Sequence, residues 1–443
     1  MKNQLSSAAA LLLGEPTDAS VIHDVHRLLT ELGYAAPAGT AASAETRHRA
    51  RLLQAASQFS RIFELTAPEA PGLVAFGAEF DPAIADARHR GSPLVGVSGI
   101  GATLQQAFQG CVGEGIEYLS QLQRSGDSLI AADGDEAAAM LDPPARELVS
   151  ELTRARAGAG LSWHRAIRLT DRREVLLPAD LCLRRPQAEQ EFAPPFPLSI
   201  GSAAGTSFEG AALHGLLELI ERDAASLWWR GGSRGKAVSS DVELSAQALL
   251  RELRAGAASP RRSWLLDITT DIGIPAVAAL SCRPDGFGFA FGLAARQTLQ
   301  AAARSAVMEL CQIELALAVV EAKRAERGDA ALNARDRIHL QRAGALDANS
   351  CTLLHPVAGH TGHVAVDDAD APTALARIVR RLSELGIEIY GLDLTRPQFS
   401  VPVARIVAPA LQAEPSRFVT ARLASTIART GGGETHTGGI PLI

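Results

Sequence analysis

The stretch "GTSFEGAALHGLLELIERDAASLWW", residues 205–229, is typical of one long helix that is apolar almost all the way round. Into it the chain places Glu218, Glu221 and Arg222, an acidic pair three residues apart with a cation beside it. That spacing puts both carboxylates on the same helix face. An acidic pair on a helix is most often solvated, but "AALHGLLELI" leaves little polar surface for water. The two carboxylates therefore need a partner inside the protein.

The same pair recurs in two further segments of the chain. With an offset of 104 residues, the stretch that begins at Gly205 aligns with "GATLQQAFQGCVGEGIEYL", which begins at Gly101. In this alignment Glu114 and Glu117 take the two acidic positions. A weaker third copy, "QAAARSAVMELCQIELAL", places Glu309 and Gln312 there. The sequence therefore predicts three apolar helices that each carry a carboxylate or amide pair on one face.

These repeated pairs suggest a cation site. Four or five carboxylates brought together without a cation would repel one another strongly. Hard cations such as Mg²⁺ take oxygen ligands, typically carboxylates together with the phosphate oxygens of a nucleotide. We expect the three helices to converge on one acidic pocket that holds Mg²⁺ and a polyphosphate, with Arg222 contacting a phosphate. The chain contains no G-x-x-x-x-G-K-[ST] motif and no kinase signature set, so the nucleotide would be held by a less common arrangement.

Composition places the chain in the globular class. Its 443 residues are 47% hydrophobic and 21% charged, and the length allows a sizeable core and either two or three domains or one large domain with an appendage. The net charge of −6 argues against a general binder of nucleic acid or membrane surfaces. The five cysteines are scattered and form no C-x-x-C pair, which favours reduced thiols in the cytoplasm. No apolar run reaches the ~18–20 residues of a membrane span, and "AAALLL" before "GEPTD" is typical of a helix end rather than a secretion signal.

The periodicity predicts two regions, a small and mostly helical one at 1–85 and a larger domain at 86–443. Helical periods occur in "SVIHDVHRLLTELGY" and "RHRARLLQAASQFSRIFEL". Further on, "RSWLLDITTDIGIPAVAALSC" predicts two strands around a turn, followed by a third in "GFGFAFGLAA". The helix "TALARIVRRLSELG" precedes two more strands, "IEIYGLDLT" and "VPVARIVAPAL". We predict an α+β fold with mixed β-sheets.

At this level of detail the chain resembles a known family. "SIGSAAGTSFEGAALHGLLELIERDAASLWW" resembles the signature of YcaO-domain proteins, whose usual form is close to "S-x-G-x-A-A-G-x-T-x-x-E-A … E-x-x-E-R-D-A". "DITTDIGIPAVAAL", "MELCQIE" and "LDLTRP…VPVARIVAPAL" resemble the family in the expected order. The resemblance covers about residues 90–412 and leaves out 1–85. It implies a YcaO-type fold, with pseudo-repeated helices around an acidic ATP pocket.

The resemblance implies ATP-dependent activation of a peptide-backbone amide. In this family a nucleophile adds to the amide carbonyl, and the amide oxygen is phosphorylated and leaves as phosphate. A Cys, Ser or Thr side chain of the substrate gives a thiazoline or oxazoline, and external sulfide gives a thioamide. Mg²⁺ supplies charge stabilisation at the transferred phosphoryl group. No protein nucleophile is required, and the sequence shows no nucleophile elbow or Cys/His signature, so no catalytic residue is assigned.

The resemblance also implies roles for individual residues. Five glutamates match the family's Mg²⁺–ATP carboxylates: Glu114, Glu117, Glu218, Glu221 and Glu309. Arg222 matches the arginine with which the family contacts a phosphate, and Gln312 matches the glutamine of the family's segment at the third copy. The family often has an arginine four residues before Glu309; here that position is Ser305, and Arg304 lies next to it.

Several positions depart from the family pattern. Tyr118 follows Glu117 where the family often has arginine, and Gly110 stands where a serine is common. Gly210 replaces a frequent glutamate, with Glu209 one place early, and "SGIGAT" lacks the usual lysine. These differences concern individual phosphate contacts rather than the pocket.

The leading expectation is a cyclodehydratase subunit acting on a ribosomally made precursor peptide, as in thiazole/oxazole-modified microcin and peptide antibiotic biosynthesis. Expected partners are the precursor peptide, a leader-binding protein and an FMN dehydrogenase, with residues 1–85 as a docking element and a homodimer left open. Azoline-forming members often end in a Pro-rich tail, whereas here Pro441 stands alone in "GGGETHTGGIPLI". The alternatives are thioamidation with a sulfide-delivering partner, an accessory role in ribosomal-protein modification, and a non-catalytic scaffold that binds a partner.

Three lesser motifs have ordinary structural interpretations. "RGGSRGK", with Arg234 and Lys236, is read as a solvated loop, with a phosphate-side loop as the alternative. "HPVAGHTGH" places three histidines close together, but loop histidines near glycines are more often solvated than zinc ligands. Cys311 is expected to be a packed core residue rather than a reactive thiol.

Overall fold

The computed structural model describes residues 2–17, 20–34, 43–132, 134–154, 160–255, 261–359, 362–363 and 369–443. Helices occur throughout these residues. In chain order they are α1 (Lys2–Leu12), α2 (Ile22–Glu31), α3 (Ala44–Ala56), α4 (Leu104–Gln121), α5 (Gly134–Ala139), α6 (Pro143–Arg154), α7 (Ala179–Cys182), α8 (Phe208–Trp229), α9 (Ser240–Leu253), α10 (Leu299–Arg327), α11 (Ala334–Ala345), α12 (Ala371–Glu384), α13 (Ala421–Thr430) and α14 (Glu434–Thr437).

The strands are short and lie between these helices. They are β1 (Arg61–Leu65), β2 (Val74–Phe80), β3 (Val95–Gly101), β4 (Ile130–Ala131), β5 (Ser162–Arg168), β6 (Glu174–Pro178), β7 (Ser202–Ala204), β8 (Arg262–Asp267), β9 (Ala276–Cys282), β10 (Ala290–Ala295), β11 (Tyr390–Asp393) and β12 (Val403–Val407).

The strands form three sheets with antiparallel pairing. Two sheets are three-stranded, in the orders β1-β2-β3 and β10-β9-β8, and the third has the order β4-β5-β11-β12-β7 with β6 on β5. The ladders of described strands are all antiparallel, so the mixed sheets expected from the sequence are antiparallel sheets here. Parallel pairing among the described residues is limited to isolated bridges, such as Lys236 with Val357. The α+β class itself is confirmed.

The chain divides into two compact units. The first unit holds residues 1–65, 74–215 and 389–407, and the second holds 66–73, 216–388 and 408–443. The chain passes from one to the other inside α8. Strands β1 and β2 precede residue 86 and belong with β3 to one sheet, so this sheet crosses the domain boundary suggested at residue 85. A docking role for 1–85 stays a prediction.

The first unit has one continuous hydrophobic core. Leu12 of α1, Leu29 of α2 and Leu53 of α3 are buried in the same cluster as Ile116 of α4 and Trp163 of β5. The N-terminal helices therefore pack on the core of this unit through their apolar stripes.

In both units three antiparallel strands are followed by a helix that packs closely on them. In the second unit a Cβ at Gly292 of β10 would lie 2.2 Å from the backbone nitrogen of Leu310 on α10. In the first, a Cβ at Gly99 of β3 would lie 2.1 Å from the backbone nitrogen of Cys111 on α4. Glycine is required at both strand positions because the helix backbone occupies the space of a side chain.

The two helices also begin in the same way. Thr103 caps α4 and accepts a hydrogen bond from the backbone of Gln106, and Thr298 caps α10 and accepts one from Ala301, each at 3.2 Å. A side-chain cap satisfies one of the unpaired N–H groups of the first helical turn. The first copy of the sequence repeat, on α4, and the third copy, on α10, therefore each belong to an arrangement of three strands followed by a helix.

Of the helices and strands that the sequence analysis predicts, most lie where expected, with one clear exception. Strands β8 to β12 and helices α2, α8 and α12 match the predicted segments. The helix predicted through "RHRARLLQAASQFSRIFEL" ends at Ala56, and "RIFEL" forms β1, because its backbone pairs with β2. No helix among the described residues is long and apolar enough to cross a membrane.

Candidate functional site

Helix α8 carries its acidic pair among buried apolar side chains. In the part of α8 that belongs to the second unit, Leu217 and Ile220 are fully buried and Glu221 is only 7% exposed. The side chains of Glu218 and Arg222 are 28% and 17% exposed to solvent. Of the three charged groups on this helix, Glu221 therefore lies inside apolar packing, and Glu218 and Arg222 are half-buried.

Arg222 lies between the two carboxylates of α8. Its Nη2 is 3.6 Å from Glu218 Oε1, and its Nε is 3.7 Å from Glu221 Oε1. The Nε is buried and has no hydrogen-bond partner among the described residues. A buried donor without a partner is costly, and an oxygen of a bound ligand would satisfy it.

Glu309 of α10 brings a third carboxylate to this cluster. Its Oε2 accepts a hydrogen bond of 2.9 Å from the backbone N–H of Leu293 on β10, which fixes the side chain. Burial raises the pKa of Glu309, the Arg222 guanidinium opposes the rise, and Glu218 adds to it. Glu218, Glu221 and Glu309 thus act on one another electrostatically around Arg222.

The electrostatics of this cluster favour a bound cation. Burial raises the pKa of Glu221 to about 8, Arg222 opposes the rise, and Glu309 and Glu218 add to it. The guanidinium groups of Arg222 and Arg296 face three carboxylates, so negative charge is in excess when all three carboxylates are ionised. Among the described residues no three His, Cys, Asp or Glu side chains form a ready-made metal site. Mg²⁺ commonly binds through one or two carboxylates plus substrate phosphates, and that mode fits the residues present.

The comparison with known families identifies the chain. Residues 98–412 match a family model described as YcaO cyclodehydratase, ATP- and Mg²⁺-binding. The chain belongs to the YcaO family. The resemblance noted in the sequence is thereby confirmed, and ATP and Mg²⁺ are the cofactors of the family, as predicted.

Relatives of this YcaO chain include one curated protein and several solved structures. An uncharacterized protein of Methanothermobacter thermautotrophicus is 26% identical over 335 residues, which cover 71% of this chain and 81% of that protein. A heterocyclase in complex with substrate and cofactor has a TM-score of 0.68 at 24% identity, covering 87% of this chain and 55% of the heterocyclase. The YcaO protein from Methanopyrus kandleri bound with AMPPCP and Mg²⁺ has a TM-score of 0.54 at 19% identity, covering 82% and 89%. These structures confirm the YcaO fold, and this chain spans little more than half of the heterocyclase.

The first YcaO motif lies on α4 in the first unit. Glu114 Oε2 accepts a hydrogen bond of 3.0 Å from the backbone N–H of Ser98 on β3. Glu309 makes the equivalent contact with Leu293. In both cases the carboxylate accepts a hydrogen bond from the backbone N–H of the strand residue 16 positions earlier in the chain. Glu114 is exposed, and Glu117 is half-buried. That Glu114 and Glu117 join the carboxylates of the second unit stays a prediction.

The first motif is linked to an arginine that the sequence did not point out. Glu117 Oε1 accepts from Gln121 Nε2 at 3.0 Å, and Gln121 Oε1 accepts from Arg184 Nε at 2.7 Å. The Arg184 guanidinium lies 4.5 Å from the centre of the Tyr118 ring. Tyr118 occupies the position where YcaO proteins often have arginine, so the structure brings a guanidinium there from a distant part of the chain.

A second missed residue is Arg296. It follows β10 directly, and its Nη1 donates a hydrogen bond to the carbonyl of Ala295 at 2.8 Å. Its positive charge opposes the rise in the pKa of Glu221 and Glu309 that burial causes. The sequence feature that could have pointed to Arg296 is a positively charged residue between the end of a strand and the N-cap of the next helix, α10. Of the other predicted contacts, Gln312 is half-buried one turn after Glu309, and Arg304 is exposed on α10. Their roles stay predictions.

The lesser motifs have structural explanations for the residues that are described. Cys311 is buried, which raises the pKa of its thiol to about 12, as expected for a core cysteine. His363 Nε2 is 2.9 Å from Asp267 Oδ2, and His355 Nε2 contacts the carbonyl of Asn349. His360 lies outside the described residues.

Proposed function

We propose that this chain is an ATP-dependent cyclodehydratase subunit that acts on a ribosomally synthesised precursor peptide. It converts Cys, Ser or Thr residues of that peptide to thiazoline or oxazoline rings by phosphorylating the backbone amide oxygen. The supporting observation is the cluster of the buried Glu221 with the half-buried Glu218 and Glu309 around Arg222, in a chain of the YcaO family.

The protein groups of this proposal bind and orient the nucleotide. Glu218, Glu221 and Glu309, together with Glu114 and Glu117, hold Mg²⁺ with the phosphates of ATP. The unpaired Nε of Arg222 donates to a phosphate oxygen. The bound Mg²⁺ supplies charge neutralisation at the phosphoryl group being transferred. Gln312 and Arg304 complete the nucleotide contacts in this proposal.

The proposed reaction requires no nucleophile from the protein. The substrate thiol or hydroxyl adds to the preceding carbonyl carbon and loses its proton, and the former amide oxygen takes the γ-phosphoryl group of ATP. The C–O bond to the phosphate then breaks and the amide nitrogen loses its proton, which forms the C=N bond of the ring. Each ring therefore consumes one ATP, releases ADP and phosphate, and removes the elements of one water from the peptide. Phosphate is a far better leaving group than the amide oxygen, which explains the need for ATP.

Arg184 supplies a cation at the first motif in this proposal. It is linked to Glu117 through Gln121 and stacks on Tyr118, so its guanidinium takes the place of the arginine that many YcaO proteins carry at that position. Burial lowers the pKa of Arg184, and Glu117 opposes the change, which makes a negative ligand group favourable beside it.

The partners of the proposed enzyme are a precursor peptide, a leader-binding protein and an FMN dehydrogenase that oxidises azolines, in the cytoplasm. Peptide binding is supported by the fold shared with a heterocyclase described in complex with substrate. Co-purification from the native host, followed by identification of bound proteins, tests the set of partners.

Mass spectrometry of the peptide product tests the reaction. Purified chain, its partner protein, precursor peptide and Mg–ATP should yield a product lighter by about 18 Da per modified residue, because each ring forms with loss of one water. Glu218→Ala/Glu221→Ala should abolish both the mass change and ATP turnover. A gain of about 16 Da in the presence of sulfide would instead assign thioamidation. Unchanged ATP turnover in the double variant would contradict the proposed site.

Calorimetry separates the enzyme from a non-catalytic scaffold. Titration of the protein with ATP should show saturable binding that needs Mg²⁺ and is lost in Glu221→Gln. A protein that binds peptide but takes up no Mg–ATP would be a scaffold.

A further inference from the structure

The second unit contains a large cavity that the proposed reaction does not use. It has a volume of about 850 Å³ and lies between the end of α8, the loop after β8 and helices α12 and α13. Its wall contains Ala224, Leu227 and Trp228 of α8 but none of Glu218, Glu221 and Glu309. Cavities of about 300–1,000 Å³ are the size of small-molecule and cofactor sites.

The lining of this cavity is strongly basic. Five cationic side chains line it: Arg234, Lys236, Arg381, Arg422 and Arg429. They come from separate segments, the "RGGSRGK" loop, α12 and α13. Among the described residues that line the cavity, Asp271 is the only carboxylate, so cations outnumber carboxylates there by five to one. The electrostatics are opposite in sign to those of the glutamate cluster.

Two of these cations are held in place by the protein. Arg422 Nη2 is 2.9 Å from the fully buried Asp223 and 2.7 Å from Asp271. Arg381 donates to the backbone carbonyls of Asp271 and Ile272 at 2.9 and 3.0 Å. These contacts keep both guanidinium groups at the wall, and preorganised charges lower the cost of binding a ligand.

Two of the remaining cations, Arg234 and Arg429, have exposed side chains. Arg234 is exposed and donates from Nη2 to the carbonyl of His355 at 3.2 Å. Arg429, in the last turn of α13, is exposed and forms no ion pair with any described residue. Asp271 is already paired with Arg422, which holds the pKa of its carboxyl below its usual range. A ligand that enters therefore meets the positive charge of Arg234 and Arg429, neither of which forms an ion pair with a described carboxylate.

We infer that this cavity binds a small ligand carrying one or more phosphate groups, at a site separate from the Mg–ATP cluster. Arginine matches the geometry of phosphate oxygens with paired N–H donors, and a phosphate monoester carries about 1.5 to 2 negative charges at neutral pH. Several cations around a cavity of this size suit a multiply charged compound of nucleotide size or smaller. The loop "RGGSRGK", expected to be solvated, forms part of this lining.

Calorimetric titration with inorganic pyrophosphate in EDTA tests the inference. Under these conditions Mg–ATP binding is suppressed, and the wild-type protein should bind pyrophosphate with an affinity that falls as salt is added. Arg234→Gln/Arg429→Gln should weaken binding at least tenfold. The matched control is Arg251→Gln/Arg327→Gln, which removes two exposed arginines outside the cavity and should bind like wild type. Equal affinity of the cavity variant and wild type, or no binding by wild type at millimolar pyrophosphate, overturns the inference.

Two further arms separate this site from the ATP site and distinguish the source of the phosphate. Glu221→Gln should lose Mg–ATP binding and keep pyrophosphate binding, and the cavity variant should show the reverse. Loss of both ligands in the cavity variant, with unchanged circular dichroism, would make the cavity part of the ATP site and overturn the inference. Tighter binding of AMP than of inorganic phosphate would indicate a nucleotide, and equal binding would indicate the phosphate group alone. Either result supports the site.

Discussion

Two glutamates on α10, five positions apart, have opposite surroundings. Glu314 is buried, and its Oε1 accepts from Arg254 Nη2, Arg261 Nε and Ser281 Oγ at 3.1, 3.0 and 2.6 Å. Glu309 receives one backbone hydrogen bond and lies among like charges. Breaking a buried ion pair destabilises a fold, whereas crowded like charges are characteristic of functional sites. We therefore assign Glu314 to stability and Glu309 to ligand binding.

Substitutions at these two positions should have opposite effects. Glu314→Ala removes the carboxylate that the buried Arg254 and Arg261 share and should lower the free energy of unfolding by about 3–5 kcal/mol. Glu309→Gln keeps an acceptor for the Leu293 N–H, removes one repulsive charge and should leave the stability of the metal-free protein unchanged or higher. It should, however, abolish the rise in Tm on adding Mg–ATP. Urea unfolding in EDTA and melting with Mg–ATP measure the two properties, and equal destabilisation by both changes would contradict the assignment.

The proposed role of Arg184 gives a second prediction about single residues. Arg184→Gln removes the cation stacked on Tyr118 and should raise the KM for ATP by about ten- to a hundredfold, the effect of losing one charge-assisted contact of roughly 1.5–3 kcal/mol. Arg184→Lys should restore part of the affinity. Arg165→Gln is the control, because its side chain is 65% exposed in a surface pair. Steady-state ATP hydrolysis with peptide present measures the effect, and an unchanged KM would exclude the contact.

Among the elements, the close contact of strand and helix in each repeat can be tested directly. Gly99→Ala places a Cβ about 2.1 Å from the Cys111 nitrogen and should cost at least 1–3 kcal/mol of stability. Gly113→Ala, on α4 with no atom within 4 Å of its Cβ, should be neutral or stabilising by up to about 1 kcal/mol. Thermal melting of the two variants measures the difference. Similar Tm values would mean that α4 does not pack on β3 as described.

The element predictions succeeded where local periodicity carries the information. Strands β8 to β10 were recognisable because their apolar runs are bounded by Gly and Pro turns. The strand "RIFEL" was missed because the apolar period of α3 runs on through "SQFS" without a Gly or Pro stop. Its strand conformation depends on pairing with β2, a partner that lies after an intervening turn and is not specified by local sequence.

The candidate site could also be predicted only in part from the sequence. Glu218, Glu221 and Arg222 follow from spacing on one helix, and the third copy pointed to Glu309. Arg184 and Arg296 were missed because neither belongs to a periodic pattern, and each reaches its carboxylates only through tertiary packing. The hydrogen bonds that orient Glu114 and Glu309 come from strand backbones, which a pattern of side chains does not reveal.

For the whole molecule, net charge alone gave an incomplete account of binding. A value of −6 argues against a general polyanion binder, yet five cations line one cavity of the second unit. The acidic cluster and the basic cavity both involve α8, on which Glu221 and Ala224 are three residues apart. Summed charge describes the field far from the protein, while a cleft concentrates the charges that line it.

The stability of the whole molecule should depend on pH through the glutamate cluster. The pKa of Glu221 is raised from its ordinary 4.5 to about 8, and that of Glu309 is raised as well. Between these values the folded protein holds a proton that the unfolded chain has lost, so this stabilisation is complete below about pH 4.5 and is lost as the pH rises towards about 8.

We therefore expect the Tm in EDTA to fall as the pH rises from about 6 to about 8.5, and saturating Mg–ATP to reduce that fall, because a bound cation replaces the protons. The carboxyls with lowered pKa, such as Asp271, lose their contribution only below their ordinary pKa of 3.8 and do not act in this range. Glu221→Gln/Glu309→Gln should flatten the dependence of Tm on pH. If the variant keeps the slope of the wild type, the protons are bound elsewhere and the cluster is not the source of the effect.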